Sequence, residues 1–271
     1  MSSTPTTPQT TFRVLGVCGG IGAGKSTACK LLVSESSTKS SSSSTELNCL
    51  AHIDADTLAH SVYAPGSQAV QDIVNEFGSK VVLLLDNKDD DKNADDAVAA
   101  APDRMEIDRK QLGNIVFADR NAMAKLERIV WPHVKTLIVE RIENLKQEWE
   151  TAAATATGDD SGKQQRKRPI VILEAAVLLD AGWDDLLDGV WIVTAPKDVA
   201  LKRLMETRGL SQAEAEKRME AQASRRGMGT TFQQEIDNGV ITGVIENNSN
   251  DGLEELTASL KSALDDSTFW K

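Results

Sequence analysis

The sequence has 271 residues, of which 41 are acidic and 30 basic, for a formal net charge of −11. This surplus of negative charge argues against a general nucleic-acid or anionic-membrane surface. No apolar run reaches the roughly 18–20 residues of a membrane span. The length fits one large α/β domain with insertions, or two small domains.

The cysteines and the N-terminal residues indicate in which cellular compartment the protein lies. Cys18, Cys29 and Cys49 follow no paired spacing, which is typical of free thiols in a reducing compartment. The first 13 residues are rich in serine and threonine, contain one arginine and lack the apolar core of a secretory signal. A mitochondrial presequence would normally carry more arginine and is therefore disfavoured. We therefore predict a disordered tail at 1–12, a domain at 13–265 and a cytoplasmic protein.

The stretch from Val14 to Thr27 organises the chain. An apolar run typical of a buried strand leads into G-x-x-x-x-G-K-[ST], the phosphate loop. Glycines let the loop curl so that backbone N–H groups point at phosphate oxygens, and the helix predicted from Thr27 presents its positive end to the same anion. We expect Lys25 to reach the β- and γ-phosphates and Ser26 to ligate Mg²⁺. The residues predicted to bind the nucleotide are Gly19, Gly20, Gly22, Ala23, Gly24, Lys25, Ser26 and Thr27.

Strand-like and helix-like patterns alternate along the rest of the chain. The alternation predicts a parallel sheet with helices on both faces, a three-layer α/β fold. Trp131-Pro132 is predicted to end one helix, because a proline disfavours helical backbone at the residue before it. Apolar runs of strand length lie at 14–17, 49–53, 81–85, 169–173, 190–194 and 240–246. Helices are predicted from 27, at 68–77, 112–130, 134–149, 201–207 and 211–225, and from 251.

Three segments interrupt this pattern and are predicted to be flexible insertions. Segment 34–46 is dominated by serine, 86–101 is rich in Asp and Ala, and 151–168 begins with Ala and Thr. All three fall between periodic segments, where added length is tolerated.

Two aspartates follow the second predicted strand. Asp54 and Asp56 would lie at the carboxyl edge of a parallel sheet, where ligands bind. One of them could accept the proton of an acceptor hydroxyl. Either could instead cap the next helix. The residue pattern alone does not choose between these alternatives.

Two arginines follow the fifth predicted strand. Arg203 and Arg208 lie on and just after a helix-like stretch that leads into Gly209-Leu210-Ser211. Arginines on a mobile segment would suit a lid that closes over phosphates and excludes water. A solvated helical face is the alternative.

Two other apparent signals are weak. His52, His60 and His133 show no metal-ligand spacing, so a zinc site is not expected. Asn87-Lys88-Asp89-Asp90 matches the guanine-reading N-K-x-D, but no D-x-x-G lies between it and the phosphate loop, which disfavours a GTPase.

Together these segments make the chain resemble the dephospho-CoA kinase family over roughly Phe12 to Leu264, apart from the three insertions. Leu173 to Trp183 is more similar to the kinase half of the bifunctional animal CoA synthase than to the bacterial enzymes. Ile241 to Asn247 and Arg226 to Met228 depart from the usual bacterial pattern. The matching segments occur in the family's order: the phosphate loop, Ile53–His60 with Tyr63–Gly66, Ile107–Gly113 with Val116–Phe117, Trp131–Pro132, Leu173–Trp183, and a lid region with Arg203, Arg208–Ser211 and Gln222.

The resemblance implies a nucleotide-kinase-like phosphate-loop fold with helical acceptor-binding and lid insertions. It implies transfer of the ATP γ-phosphoryl group to the 3′-hydroxyl of dephospho-CoA, with Mg²⁺. It makes Asp56 the base for that hydroxyl, with Lys25 and Arg208 as catalytic partners and Arg203 at the nucleotide. The alternatives are another small-metabolite or nucleoside monophosphate kinase on this fold, or a nucleotide-dependent switch protein.

Overall fold

The computed structural model describes residues 12–37, 46–84, 105–155, 167–228, 231–249 and 252–266. The predicted tail, except Phe12, lies outside the described residues, as do the N-K-x-D stretch and the whole of 86–101. The described chain forms two compact units, one from the segments up to Asp54 and from Ile142 onward, the other from Ala55–Arg141. The single domain predicted at 13–265 thus contains two units, which we describe separately.

Helices and strands alternate for most of the chain, as the patterns predicted. The strands are β1 (Arg13–Gly19), β2 (Glu46–Asp54), β3 (Val82–Leu84), β4 (Met105–Ile107), β5 (Lys167–Glu174), β6 (Gly189–Thr194) and β7 (Ile241–Glu246). The helices are α1 (Lys25–Ser37), α2 (Ala55–Val62), α3 (Gln68–Phe77), α4 (Arg109–Ala118), α5 (Arg120–Thr155), α6 (Lys197–Arg208), α7 (Gln212–Ala223), α8 (Phe232–Asp237) and α9 (Glu254–Asp266), with short 3-10 turns at Ser79–Val81 and Trp183–Leu186.

The first unit is built on a five-stranded sheet in the order β2-β5-β1-β6-β7. Every pairing in it is parallel. The central strand β1 is buried at every position from Val14 to Gly19, as expected of a strand covered on both faces. The predicted three-layer α/β fold class is therefore confirmed.

The main core of this unit lies where α1 and α9 pack on the sheet. Consecutive apolar residues in the strands and residues at helical spacing in α1 meet there, so that neither element exposes its apolar side. Its members include Leu15, Val17, Ala28, Cys29, Leu32, Ile170, Ile172, Trp191, Val193, Ile245, Leu256 and Leu260.

The second unit contains α2, α3, α4, the first part of α5 and a small sheet. Strands β3 and β4 pair antiparallel in a two-stranded sheet of their own. The run predicted at 81–85 therefore does not join the parallel sheet. His133 Nε2 lies 2.9 Å from Asp72 Oδ2, and this contact ties α5 to α3.

The predicted helix break at Trp131-Pro132 is wrong. Helix α5 runs through Pro132, and the break lies instead at Asp119, whose carboxylate accepts a hydrogen bond from Asn121 N at 2.8 Å. Val134 and Ile138 continue a buried stripe at helical spacing, while Pro132 lies on the exposed side. Packing of the stripe outweighs the one hydrogen bond that the proline removes.

The outer residues of two predicted insertions, 34–46 and 151–168, belong instead to helices and strands. Helix α1 includes 34–37, β2 begins at Glu46, α5 continues to Thr155 and β5 begins at Lys167. The intervening residues 38–45 and 156–166 lie outside the described part of the chain.

Candidate active site

The phosphate loop connects β1 to α1 with a backbone that requires glycine. Gly22 and Gly24 have φ values of 78° and 93°, in a region that other residues rarely adopt. A Cβ atom at Gly22 would lie 2.7 Å from the carbonyl oxygen of Ala200, so any side chain there would clash with backbone. A Cβ at Gly24 would clash with the Asn247 amide. The conformation of the loop thus depends on its close contacts with Ala200 and Asn247 as well as on its own glycines.

Lys25 is the first residue of α1, two residues before the predicted start of that helix. Its Nζ donates to the carbonyl oxygens of Gly19 at 3.0 Å and Gly20 at 3.3 Å. The ammonium group is therefore held over the loop at the N-terminal end of the helix, where the helix dipole also favours anions.

Glu174 ends β5 beside the same helix, and the sequence reasoning did not single it out. It is 6% exposed, and its carboxylate accepts a hydrogen bond from Ser26 Oγ at 2.6 Å. His52 Nε2 lies 3.0 Å from the other carboxylate oxygen. Glu174 could have been predicted from the sequence, because it follows an apolar run of strand length directly, as Asp54 does.

The electrostatics of Glu174 favour its ionised form. Burial raises the pKa of the carboxyl group, but the hydrogen bonds from His52 and Ser26 and the charge of Lys25 outweigh burial, so the pKa lies below its ordinary value. A buried carboxylate with these partners is a negative charge beside the phosphate loop.

The two candidate aspartates fall in different units. Asp54 ends β2 and pairs in register with Glu174 on β5, so both carboxylates stand at the carboxyl edge of the sheet. Asp56 is exposed and lies in the first turn of α2, where a negative charge also stabilises the helix.

Arg203 projects from α6 onto the outer side of the phosphate loop. Its Nη1 donates to the carbonyl oxygens of Gly22 and Ala23, both at 3.3 Å. Its Nη2 donates to Asn247 Oδ1 at 3.0 Å and to Ser249 O at 2.6 Å. Asn247, which is buried, donates in turn to Ala23 O at 2.7 Å. The structure thus brings Arg203 to the loop as a cross-link to the segment after β7.

The lid region follows α6. Arg208 is the exposed last residue of this helix, and Gly209 ends it in the left-handed conformation. A capping box of Ser211 and Glu214 begins α7, close to the predicted start of the helix at 211. Gln222, near the end of α7, accepts a hydrogen bond from Ile21 N at 2.7 Å, so this helix also holds the phosphate loop.

A cavity of about 300 Å³ opens beside the loop and the end of β6. Its walls are mostly apolar, with Gln222 as a polar exception. They include Ile21, Ile192, Ala200, Met219, Gln222 and Phe232.

Arg226, at a point where the sequence departs from the bacterial pattern, has structural partners. Its guanidinium donates to Asp184 Oδ1 at 2.9 Å and to Glu235 Oε1 at 2.8 Å. These hydrogen bonds raise the pKa of an already basic group. The side chain thereby tethers the segment after α7 to the Trp183–Leu186 turn and to α8.

Comparison with known proteins identifies the family. The model of the family described as dephospho-CoA kinase matches residues 13–89 and 101–242. A dephospho-CoA kinase of Moorella thermoacetica is 34% identical over 77% of this chain and 76% of its own. That of Geobacter sulfurreducens is 32% identical over 84% of this chain and 90% of its own.

Solved structures agree on the fold. A crystal structure from Thermus thermophilus is similar with a TM-score of 0.57 and 24% identity, over 94% of this chain and 97% of that one. A dephospho-CoA kinase from Campylobacter jejuni is similar with a TM-score of 0.50 and 21% identity, over 93% and 95%. No helix within the described residues is long and apolar enough to cross a membrane. By the family match and by these relatives, the chain belongs to the dephospho-CoA kinase family.

Proposed function

We propose that this protein transfers the γ-phosphoryl group of ATP to the 3′-hydroxyl of dephospho-CoA and so forms coenzyme A. The observation that carries the proposal is the family match at 13–89 and 101–242. The phosphate loop supports it, because its geometry suits a nucleoside triphosphate. Neither another metabolite kinase nor a switch protein is favoured by an observation of similar weight.

In this proposal the loop and α1 bind the triphosphate. The backbone N–H groups of Gly20 to Thr27 and the helix N-terminus attract the phosphate oxygens. Lys25 exchanges the carbonyl oxygens of Gly19 and Gly20, which it contacts in this structure, for the β- and γ-phosphates. Its charge then stabilises the negative charge that develops during transfer. Arg203 keeps the loop in shape from the opposite side.

Ser26 and Glu174 would hold a magnesium ion. The hydroxyl and the ionised carboxylate lie 2.6 Å apart and form a donor set of hard oxygens, which fits this metal. A bound Mg²⁺ supplies charge neutralisation to the phosphates. His52 acts on the carboxylate from its other side and fixes its orientation.

Asp56 would orient the 3′-hydroxyl and accept its proton. Asp54, at the end of β2 beside Glu174, would support the metal. The exposure of Asp56 at the start of α2 supports access by an acceptor. Arg208 would stabilise the transferred group when the lid region closes, in line with its exposed position before a glycine hinge. We place the reaction in the cytoplasm, which the three cysteines without disulfides support.

A coupled assay of ADP release tests the proposal. The full-length protein is supplied with Mg²⁺ and ATP, and with dephospho-CoA, AMP or no acceptor. We expect turnover only with dephospho-CoA, with 3′-phosphorylated product identified by mass spectrometry. Turnover with AMP would establish a nucleoside monophosphate kinase, and slow release without any acceptor would establish a switch protein.

A further inference from the structure

We propose that Cys29, His52 and Glu174 form a second metal site, which binds Zn²⁺. Because Glu174 is also a proposed magnesium ligand, Zn²⁺ at this site would compete with Mg²⁺ bound by Ser26 and Glu174. Each of the three side chains offers one ligand atom, and these atoms all lie within 4.8 Å of one another. The residues come from α1, β2 and β5, which explains why the sequence spacing gave no sign of the site.

The distances suit a four-coordinate ion. Zinc binds sulfur, nitrogen and oxygen at about 2.0–2.3 Å, which puts ligand atoms about 3.3–3.8 Å apart in a tetrahedron. The three atoms therefore need only small rotations of their side chains. Three protein ligands leave a fourth position for water. His52, whose side chain is 24% exposed, gives the ion a route in from solvent.

The charges suit a buried divalent ion as well. A thiolate and a carboxylate together neutralise the two positive charges of Zn²⁺, and His52 binds as a neutral imidazole. When the ion binds, the proton of the Cys29 thiol is released to solvent. Such compensation is needed because Cys29 is fully buried and Glu174 nearly so. Thiolate and imidazole favour Zn²⁺ over Mg²⁺, which prefers oxygen ligands.

Glu174 belongs to both arrangements, so an ion bound in one of them changes the charge and the orientation of the carboxylate in the other. Its Oε1 accepts a hydrogen bond from Ser26 and its Oε2 lies 3.0 Å from His52 Nε2, while the Cys29 thiol lies within 4.8 Å of the same group. A zinc ion between Cys29 and His52 would hold the carboxylate there and deprive Ser26 of its partner. Zinc would therefore inhibit phosphoryl transfer, and this part of the inference rests on the proposed function, whereas metal binding does not.

Binding is tested on the nucleotide-free, reduced full-length protein with Co²⁺ as a spectroscopic probe and with Zn²⁺ displacing it. We expect one Co²⁺ per chain and a thiolate-to-cobalt charge-transfer band in the wild type and in Cys49→Ala. Cys49 is the matched control, because its thiol lies in the same unit but outside the three-residue cluster. Cys29→Ala and the size-conserving Cys29→Ser should lose the band and bind Zn²⁺ at least about tenfold more weakly.

Inhibition is measured with Mg²⁺ and ATP saturating. The Zn²⁺ concentration that halves activity should rise at least about tenfold in Cys29→Ala, with activity in the absence of zinc unchanged. The inference is overturned if Cys29→Ser keeps the band, if Cys49→Ala loses it, or if wild type shows no band. Equal inhibition of wild type and Cys29→Ala by Zn²⁺ would show that zinc does not inhibit through the Cys29 site. Because cobalt binding needs no turnover, an inactive protein would count against the proposed function alone.

Discussion

The Glu174 carboxylate is nearly buried and still favours the ionised state, since Ser26, His52 and Lys25 together outweigh its desolvation. Its pKa in the folded protein lies below the ordinary value of 4.5. Ionisation of Glu174 therefore stabilises the fold above that value, and this contribution is lost as the pH falls through the folded-state pKa.

Glu174→Gln should remove this pH dependence. The amide keeps the size of the side chain but cannot ionise, so the variant is expected to be less stable than wild type at neutral pH. The difference in the free energy of unfolding should shrink as the pH is lowered from about 5 to about 3. Urea unfolding at a series of pH values measures it. A difference that stays constant across this range would show that Glu174 is not a stabilising carboxylate.

Lys25→Ala should lower turnover by about 10²-fold or more, because it removes a cation from the developing phosphate charge. The fold should survive, since Lys25 is only half-buried and its ammonium group donates to loop carbonyl oxygens rather than to the core. Steady-state kinetics and a thermal unfolding curve separate the two effects. Near-normal activity would mean that this loop is not the catalytic phosphate site.

Asp56→Asn should lower turnover by about 10²–10⁴-fold, the usual range of general-base assistance. A loose transition state needs only a weak base, so the lower end is expected. ATP affinity should hardly change, because the proposed partner of Asp56 is the acceptor hydroxyl. Asp54→Asn is measured for comparison, because Asp54 is proposed to support the metal and not the acceptor hydroxyl. Normal turnover in Asp56→Asn with an inactive Asp54→Asn would reverse the two roles.

At the scale of helices and strands, the sequence correctly predicted the elements that depend on residues close together in the chain. Helix α3 occupies the predicted residues Gln68–Phe77, and the capping box of α7 is present. The alternation of strand-like and helix-like patterns also predicted the parallel sheet correctly. Strand β3 could not be placed in this way, because three apolar residues do not specify which partner they pair with.

The site was predictable only where it is contiguous. Residues 19–27 form one motif, and the sequence identifies them together. Glu174 meets Ser26 across 148 positions, and Asn247 meets Ala23 across 224. Such pairs are created by the order of strands in the sheet, which sequence spacing does not record. For the same reason three histidines without metal spacing gave no hint that His52 would lie near Cys29.

Pro132→Ala tests why α5 does not break. Alanine restores an N–H donor for the carbonyl of Arg128 and has the higher helix propensity, and the site is exposed. The greater freedom of the unfolded chain offsets part of this gain, so the free energy of unfolding should rise by about 1–2 kcal/mol. Urea unfolding measures it, with Glu140→Ala on the exposed side of the same helix as the control. A loss of stability would indicate that the proline is needed for packing.

At the scale of the whole molecule, the gap in the family match indicates a stretch that we expect to be dispensable. The match skips residues 90–100, an acidic stretch that contains Asp90 of the N-K-x-D signature. Deleting 90–100 should leave turnover with dephospho-CoA and the midpoint of thermal unfolding nearly unchanged. Shortening a connection alters its closure entropy by well under about 1 kcal/mol, and the site residues lie elsewhere. ADP release and ATP binding are measured on the deleted and full-length proteins. If the deletion abolished nucleotide binding, the guanine-reading signature would be functional after all, and the assignment of this chain as an ATP-dependent kinase would fail.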